Sequence, residues 1–133
     1  MTDNSAKRLH DVFFYGLYMD PDILRQKNVE PRHPRKAVVK DFVLRIGNKA
    51  TLLRSPGDQA VGMVYSLTHQ EIDSLYWGAG LDEYAAEALI VNIGQAQIPV
   101  LCCNLIQAPD TTESNAEYEA KLKQAWHDLD LFV

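Results

Sequence analysis

The sequence is poor in the residues that build disulfide-bonded, metal-bound or membrane-spanning structures. Its 133 residues include two cysteines, Cys102 and Cys103, which are adjacent. Neighbouring residues of a strand point to opposite faces, so these thiols are poorly placed to bridge each other, and they show no metal-ligand spacing. No apolar run approaches the roughly 20 residues of a membrane span. We therefore expect a reduced, cytoplasmic protein with no metal, no other cofactor and no membrane partner.

Apolar residues are also scarce at the amino terminus, where the first ten residues are mostly polar. This composition is unlike a secretory signal and predicts a flexible tail over residues 1–10. The sequence has no internal repeat, low-complexity segment or linker. Because its length suits one domain with a real core, we predict a single domain over residues 11–133.

Each half of the chain lacks charge of one sign. Residues 1–56 carry a net charge of +5, and residues 57–133 carry −10. The basic half is consistent with a site for an anionic ligand, but the two halves could also pair with each other in the fold. We favour pairing, because charge asymmetry alone only suggests a partner. No arginine-rich run or stacking motif accompanies the basic residues, so nucleic acid is not expected as a partner.

The remaining pattern predicts about six short strands and three helices. Strands are expected at residues 11–16, 37–46, 50–53, 60–67, 85–93 and 97–106, and helices at about 21–27, 68–75 and 114–128. Asp20 before Pro21 is typical of a helix start, and capping boxes at Thr68–Glu71 and Ser114–Glu117 begin the other two helices. Several strands are apolar on both faces, which favours an α+β fold with a small mixed or antiparallel β-barrel and flanking helices.

A glycine separates the first strand from the first helix in the stretch "DVFFYGLYMDPDIL", residues 11–24. A strand that passes through Gly16 to a helix start forms a loop whose N–H groups can converge on an anion. Gly16 also lets a ligand approach the backbone closely. A simple turn would use the same glycine, so the spacing alone leaves both interpretations open.

Two stretches of the sequence resemble the γ-glutamylcyclotransferase-like (AIG2-like) superfamily. "VFFYGLYM" is similar to its opening motif, a hydrophobic strand followed by Tyr-Gly and a turn into a helix. "VGMVYSLTHQEIDSLYWGAGLDEY" is similar to its middle signature, which holds a Glu-Gly pair and ends on a tyrosine. The resemblance covers residues 11–106 and implies the same small barrel. It also implies a γ-glutamyl substrate whose α-amine attacks its own γ-carbonyl and yields 5-oxoproline, with the glutamate as general base.

Carried onto this chain, the resemblance gives a small-molecule site with a missing base. The implied substrate-binding residues are Tyr15, Gly16, Leu17, Tyr18, Met19 and Tyr84. The family's glutamate falls on Ala79, which cannot accept a proton, and the nearest acids are Asp82 and Glu83. Three hypotheses follow. The loop brings Asp82 or Glu83 to the pocket as the catalytic base; the chain is a non-catalytic small-molecule-binding or regulatory domain; or other groups perform a different reaction.

Three further positions have two interpretations each. Tyr65 and Tyr84 suit either the mouth of the barrel or its core, since a buried tyrosine hydroxyl usually finds a partner. Asn104 lies in an apolar strand, where its amide either holds a ligand or pairs with a backbone group. The oligomeric state is not predicted.

Overall fold

The computed structural model of the chain describes residues 5–131, and five strands within this range close into a barrel. The strands are β1 (His10–Phe14), β2 (Arg32–Ile46), β3 (Ala50–Leu67), β4 (Tyr84–Ile93) and β5 (Ala96–Leu105). Their order around the barrel is β1-β3-β2-β4-β5, and β5 returns to β1. The β1–β5 pair is parallel and the other pairs are antiparallel, which confirms the predicted mixed barrel.

In the described part of the chain, four short or medium helices accompany the barrel. A 3-10 helix (Leu17–Met19) leads into α1 (Pro21–Gln26), α2 (His69–Leu75) joins β3 to β4, and α3 (Ala116–Asp128) follows the barrel. Over residues 5–131, none of the helices combines the length and the apolar character that crossing a bilayer requires.

Strand β3 is continuous where the sequence predicted two strands separated by a turn. The turn residues 55–58 instead form a bulge, and the register with β2 shifts there between Lys40 and Phe42. Asp41 stands opposite the bulge with a φ of 65°, and its carboxylate accepts the Gly57 N–H at 3.0 Å. A turn-forming sequence can therefore lie inside a long hairpin when the partner strand supplies the missing hydrogen bond.

Four strands begin earlier than predicted; β4 and β5 do so by one residue each. β1 starts at His10, which the prediction assigned to the tail, and residues 1–4 of that tail lie outside the described residues. β2 starts at Arg32 because the proline-containing segment pairs irregularly with β3, with a register shift between Arg32 and Arg35. His33, at a φ of 52°, lies in that shift.

Helices α1 and α2 begin as predicted. The Asp20 side chain accepts the Asp22 N–H at 2.9 Å, and Pro21 is the first helical residue. In α2 both hydrogen bonds of the capping box between Thr68 and Glu71 are present. These starts depend on side chains within one turn of the helix end, which is why local sequence predicts them.

Helix α3 begins one residue later than the predicted capping box at Ser114. Its N-cap is Asn115, whose side chain accepts the Tyr118 N–H at 3.0 Å. Asn and Ser are comparable caps, so the choice between them depends on packing. Leu122 and Ala125 are buried, and Tyr118 packs against the same apolar layer.

The core consists of two apolar layers that share the strands. One layer contains strand residues such as Phe13 and lies within the barrel. The other joins Val12 and Phe14 to helix residues such as Leu24 and Leu122. Alternate residues of β1 thus face different apolar layers, which explains why this strand has no polar face.

The fold also brings the oppositely charged halves of the chain together. Arg32 pairs with Glu71 at 2.7 Å, Lys36 pairs with Asp130 at 3.6 Å, and Lys49 pairs with Glu83. The charge asymmetry is therefore partly compensated inside the molecule, as the favoured interpretation expected.

Candidate functional site

A cavity of about 350 Å³ opens beside the loop that follows β1. Five of its lining residues are tyrosines, namely Tyr15, Tyr18, Tyr76, Tyr84 and Tyr118. Gly16, Leu17, Phe14, Ile23, Ala50 and Leu81 add backbone and apolar surface, and Asn48, Lys27 and Lys49 complete the lining. The cavity falls within the size range of small-molecule sites and shares their mix of aromatic walls and few polar groups.

Five of the six residues predicted to bind a substrate line this cavity: Tyr15, Gly16, Leu17, Tyr18 and Tyr84. The sixth, Met19, does not. It is fully buried in the layer between barrel and helices, because the 3-10 helix turns its side chain inward. The Met19 carbonyl accepts the Tyr65 hydroxyl at 2.6 Å, so Tyr65 is a core residue that anchors the loop from below.

Gly16 lies where the structure leaves no room for a side chain. The hydroxyl oxygen of Tyr118 occupies the position that a Cβ atom at residue 16 would fill. The same hydroxyl accepts the Leu17 N–H at 3.1 Å. The φ of Gly16 is −107°, an extended conformation that any residue can adopt. The glycine therefore serves the close approach of α3 to the loop.

The tyrosine hydroxyls differ in their hydrogen bonds. Three donate to carbonyl oxygens of the protein: Tyr15 to Cys103 at 2.8 Å, Tyr18 to Leu75 at 2.9 Å, and Tyr84 to Ala50 at 2.7 Å. The Tyr118 hydroxyl accepts from Leu17. Among residues 5–131, no group hydrogen-bonds the Tyr76 hydroxyl. Its residue is only 7% exposed, but the hydroxyl oxygen is not one of the polar atoms sealed from solvent without a partner, so solvent reaches it.

Burial keeps these phenols neutral. Desolvation raises the pKa of Tyr15 and Tyr76 well above the ordinary value of 10, and it also raises the pKa of Tyr18, Tyr84 and Tyr118. A phenol of raised pKa carries its proton at neutral pH and acts as a hydrogen-bond donor. The tyrosine walls can therefore orient a ligand, but they cannot remove a proton from it.

The described residues that line the cavity include no carboxylate and no histidine. Asp82 and Glu83 are both exposed and lie outside the lining, and so does Ala79. Glu83 pairs with Lys49, which does line the cavity, so its carboxylate is held beside the mouth. The structure thus places neither acid where it faces the Tyr-Gly loop.

Local hydrogen bonds in the segment after α2 explain why its acidic side chains do not line the cavity. The Gly78 N–H donates to the Asp73 carbonyl and the Leu81 N–H to the Tyr76 carbonyl, both at 2.7 Å. The Trp77 indole N–H donates to the Tyr84 carbonyl at 3.1 Å. These bonds fold the segment against the end of α2 and point its acids to solvent.

The charged side chains that line the cavity are both cationic. The Lys27 ammonium lies 5.9 Å from the centre of the Tyr18 ring, and Lys49 stands beside Ala50 at the start of β3. Their position favours an anionic group at the mouth. Sequence analysis did not assign these lysines, Tyr76 or Tyr118 to the site. The basic first half signalled the lysines weakly.

Three other candidates are accounted for by packing. Cys102 and Cys103 are buried, and burial raises the pKa of the Cys103 thiol to about 12, so it is unreactive. Asn104 accepts the Leu52 N–H at 3.2 Å and thus pairs with the backbone. Among residues 5–131 no cluster of three or more metal-ligating side chains occurs.

The fold is shared with several solved structures. A γ-glutamyl cyclotransferase aligns with a TM-score of 0.77 at 20% identity, over 92% of this chain and 81% of that one. YkqA from Bacillus subtilis aligns with a TM-score of 0.76 at 20% identity, over 92% of this chain and 49% of that one. An uncharacterized protein from Homo sapiens aligns with a TM-score of 0.74 at 18% identity, over 92% and 80%.

At the level of sequence, no family model and no curated protein matches the chain. The structural likeness nevertheless covers 92% of this chain. The chain therefore has the γ-glutamylcyclotransferase-like fold.

Proposed function

We propose that this protein binds a small γ-glutamyl or amino-acid-like compound in the tyrosine-lined cavity and does not cyclise it. The observation that carries the proposal is a cavity beside the Tyr-Gly loop whose described lining holds two lysines but no carboxylate or histidine. Such a site attracts and orients an anionic ligand and offers no proton acceptor.

Binding is supported by the charges and the walls of the site. Lys27 and Lys49 suit a carboxylate at the mouth, and hydrogen bonds from lysine to a carboxylate are stronger than neutral ones. The aromatic walls suit the carbon chain of the ligand. A compound of amino-acid or dipeptide size matches a volume of about 350 Å³.

Cyclisation needs a general base, which the lining residues within 5–131 do not supply. The α-ammonium of a γ-glutamyl compound must lose a proton before it can attack the γ-carbonyl. The lining tyrosines keep their own protons because burial raises their pKa. A lysine ammonium cannot accept a further proton. The cavity is therefore suited to hold the substrate-like form of the ligand.

The test measures binding and turnover on the same panel of γ-glutamyl amino acids and amines. We expect some members to raise the melting temperature of the protein, because a ligand that binds only the folded state stabilises it. We also expect no 5-oxoproline release above the uncatalysed rate. Release by the wild-type protein at an enzymatic rate would contradict a purely binding role, and a panel with no effect on melting would contradict binding itself.

One observation favours cyclotransferase activity as a second candidate. Glu83 is paired with Lys49 at the mouth of the cavity. A ligand carboxylate that drew Lys49 away would free Glu83 to act as a base. If this candidate holds, Glu83→Gln should reduce 5-oxoproline release about 10²- to 10⁴-fold. Asp82→Asn, which changes an exposed neighbour without this ion pair, is the matched control.

A further inference from the structure

We infer that Tyr76 sets the specificity of the cavity: its hydroxyl donates a hydrogen bond to an uncharged acceptor at the buried end of the ligand, whose anionic end faces the two lysines. The inference rests on the proposed binding function and names the ligand class, a carboxylate with an uncharged carbonyl group at its far end.

The first step is the unused hydroxyl. Tyr76 lines the cavity, is 7% exposed, and no group within residues 5–131 hydrogen-bonds its hydroxyl. The hydroxyl oxygen is not among the polar atoms sealed from solvent, so it is reached from the cavity that Tyr76 lines. The hydroxyls of Tyr15, Tyr18 and Tyr84 all donate to carbonyl oxygens of the protein. Tyr76 therefore differs from these three in keeping its donor free for a ligand in the cavity.

The second step is the rigidity of the ring. The centre of the Tyr76 ring lies 5.5 Å from that of Tyr18, 5.3 Å from that of Tyr84 and 5.9 Å from that of Trp77. The Tyr18 contact is an edge-to-face one, a favourable aromatic geometry. Aromatic neighbours on several sides fix the direction of the hydroxyl, so it can discriminate between ligands by position.

The third step is the charge of the group that it meets. Desolvation keeps Tyr76 protonated, so it donates one hydrogen bond. The two lysines of the lining are more exposed than Tyr76: Lys27 is exposed, and the Lys49 side chain is about 38% exposed. An anion at the buried end would lose its water without gaining a cationic partner. An uncharged carbonyl, as in an amide or a lactam, avoids this cost.

The experiment uses three carboxylates of similar length that differ only at the far end. These probes are 5-amino-5-oxopentanoate, which ends in an amide, glutarate, which ends in a second carboxylate, and hexanoate, which ends in a methyl group. Their affinities are measured by NMR titration of wild-type protein and of Tyr76→Phe, which keeps the ring and removes the hydroxyl. Ser66→Ala is the control, because it removes a buried hydroxyl that lies outside the cavity lining and bonds Asp11 rather than the loop.

We expect the wild type to bind the amide probe about tenfold more tightly than the other two, the effect of one buried hydrogen bond. Tyr76→Phe should abolish that preference, while Ser66→Ala keeps it. Equal binding of the three probes by the wild type, or a preference that survives in Tyr76→Phe, would overturn the inference and leave the binding function standing. If no probe shifts the cavity signals of the wild type, both the inference and the binding function fail.

Discussion

Gly16 shows how one residue can link the loop to the carboxy-terminal helix. Because the Tyr118 hydroxyl fills the space of a Cβ atom at position 16, Gly16→Ala should force the loop and α3 apart. We expect a loss of about 1–3 kcal/mol in the free energy of unfolding, the usual cost of overpacking. Urea denaturation measures it.

A double variant tests whether the clash with the Tyr118 hydroxyl causes this loss of stability. Tyr118→Phe removes the offending oxygen and leaves the ring carbon 3.7 Å from the added methyl, an ordinary contact. Alone it loses the bond to the Leu17 N–H, at about 1 kcal/mol. Gly16→Ala combined with Tyr118→Phe should therefore be more stable than the two separate losses predict. Simple additivity would show that the glycine is needed for another reason.

His10 gives the second prediction on the residue scale. Burial lowers the pKa of His10, and the positive groups His69 and Arg8 lower it further. The His10 and His69 rings lie 4.0 Å apart, and Arg8 contacts His69 at 3.2 Å. The unfolded chain binds this proton more tightly than the folded chain does. The contribution of His10 to the free energy of unfolding is therefore complete above about pH 6.5 and is lost as the pH falls below that value.

We expect His10→Gln to weaken this loss of stability between pH 7 and pH 5, as measured by thermal unfolding at several pH values. The matched control is His127→Gln, which changes an exposed histidine of α3. An unchanged pH profile in His10→Gln would show that the other ionisable groups account for the acid sensitivity.

At the scale of elements, α2 is anchored by one carboxylate with several partners. Glu71 accepts from the Thr68 N–H at 2.9 Å, the Glu30 N–H at 2.9 Å and the Arg32 guanidinium at 2.7 Å. Burial alone would raise the pKa of Glu71, but these hydrogen bonds together lower it. The carboxylate thus joins the start of α2 to the start of β2, and its contribution is lost when acid protonates it.

Glu71→Ala should lower the free energy of unfolding by about 1–3 kcal/mol, because it removes charge-assisted hydrogen bonds and half of the capping box. Glu119→Ala, which breaks only an exposed pair with Lys123 in α3, should change it by less than about 0.5 kcal/mol. Urea denaturation compares them. Similar losses in both variants would mean that the hydrogen bonds of Glu71 stabilise the fold no more than an exposed ion pair does.

The elements also show which features local sequence can predict. Asp20 and the Thr68–Glu71 box lie within one turn of the helix ends that they form, so their pattern is sufficient. The bulge at residues 55–58 depends on Asp41 in the opposite strand, and sequence spacing does not reveal that pairing. For the same reason α3 begins at Asn115, where its first turn meets the loop.

At the scale of the whole molecule, the candidate site also combines residues that are close in sequence with residues that are distant. The Tyr-Gly loop is one continuous stretch, and its motif predicted four cavity residues, Tyr15, Gly16, Leu17 and Tyr18. Tyr76, Tyr118, Lys27 and Lys49 come from separate parts of the chain and meet only after the barrel has closed. Asp82 and Glu83 were proposed from their distance in sequence to the missing glutamate, but the turn that carries them folds toward solvent.

Besides the β1–β5 pairing that closes the barrel, polar side chains connect two strands that are not neighbours in its order. The first residues of β3 meet the end of β5 there: Asn104 accepts the Leu52 N–H at 3.2 Å, and Thr51 accepts the Leu105 N–H at 2.9 Å. Both side chains are buried. They supply hydrogen bonds to backbone groups that would otherwise be buried without partners.

Asn104→Leu should therefore destabilise the whole barrel rather than one strand. The leucine fills similar space but leaves the Leu52 N–H buried and unpaired, which costs about 1–3 kcal/mol. Cooperative urea unfolding should show the loss, and amide exchange should rise first at Leu52 and Leu105, where the two strands meet. Gln97→Leu, an exposed change in the same strand, should leave both measurements near the wild type. If Asn104→Leu is as stable as the wild type, β3 and β5 must be held together by apolar packing alone, and the polar junction is not needed to close the barrel.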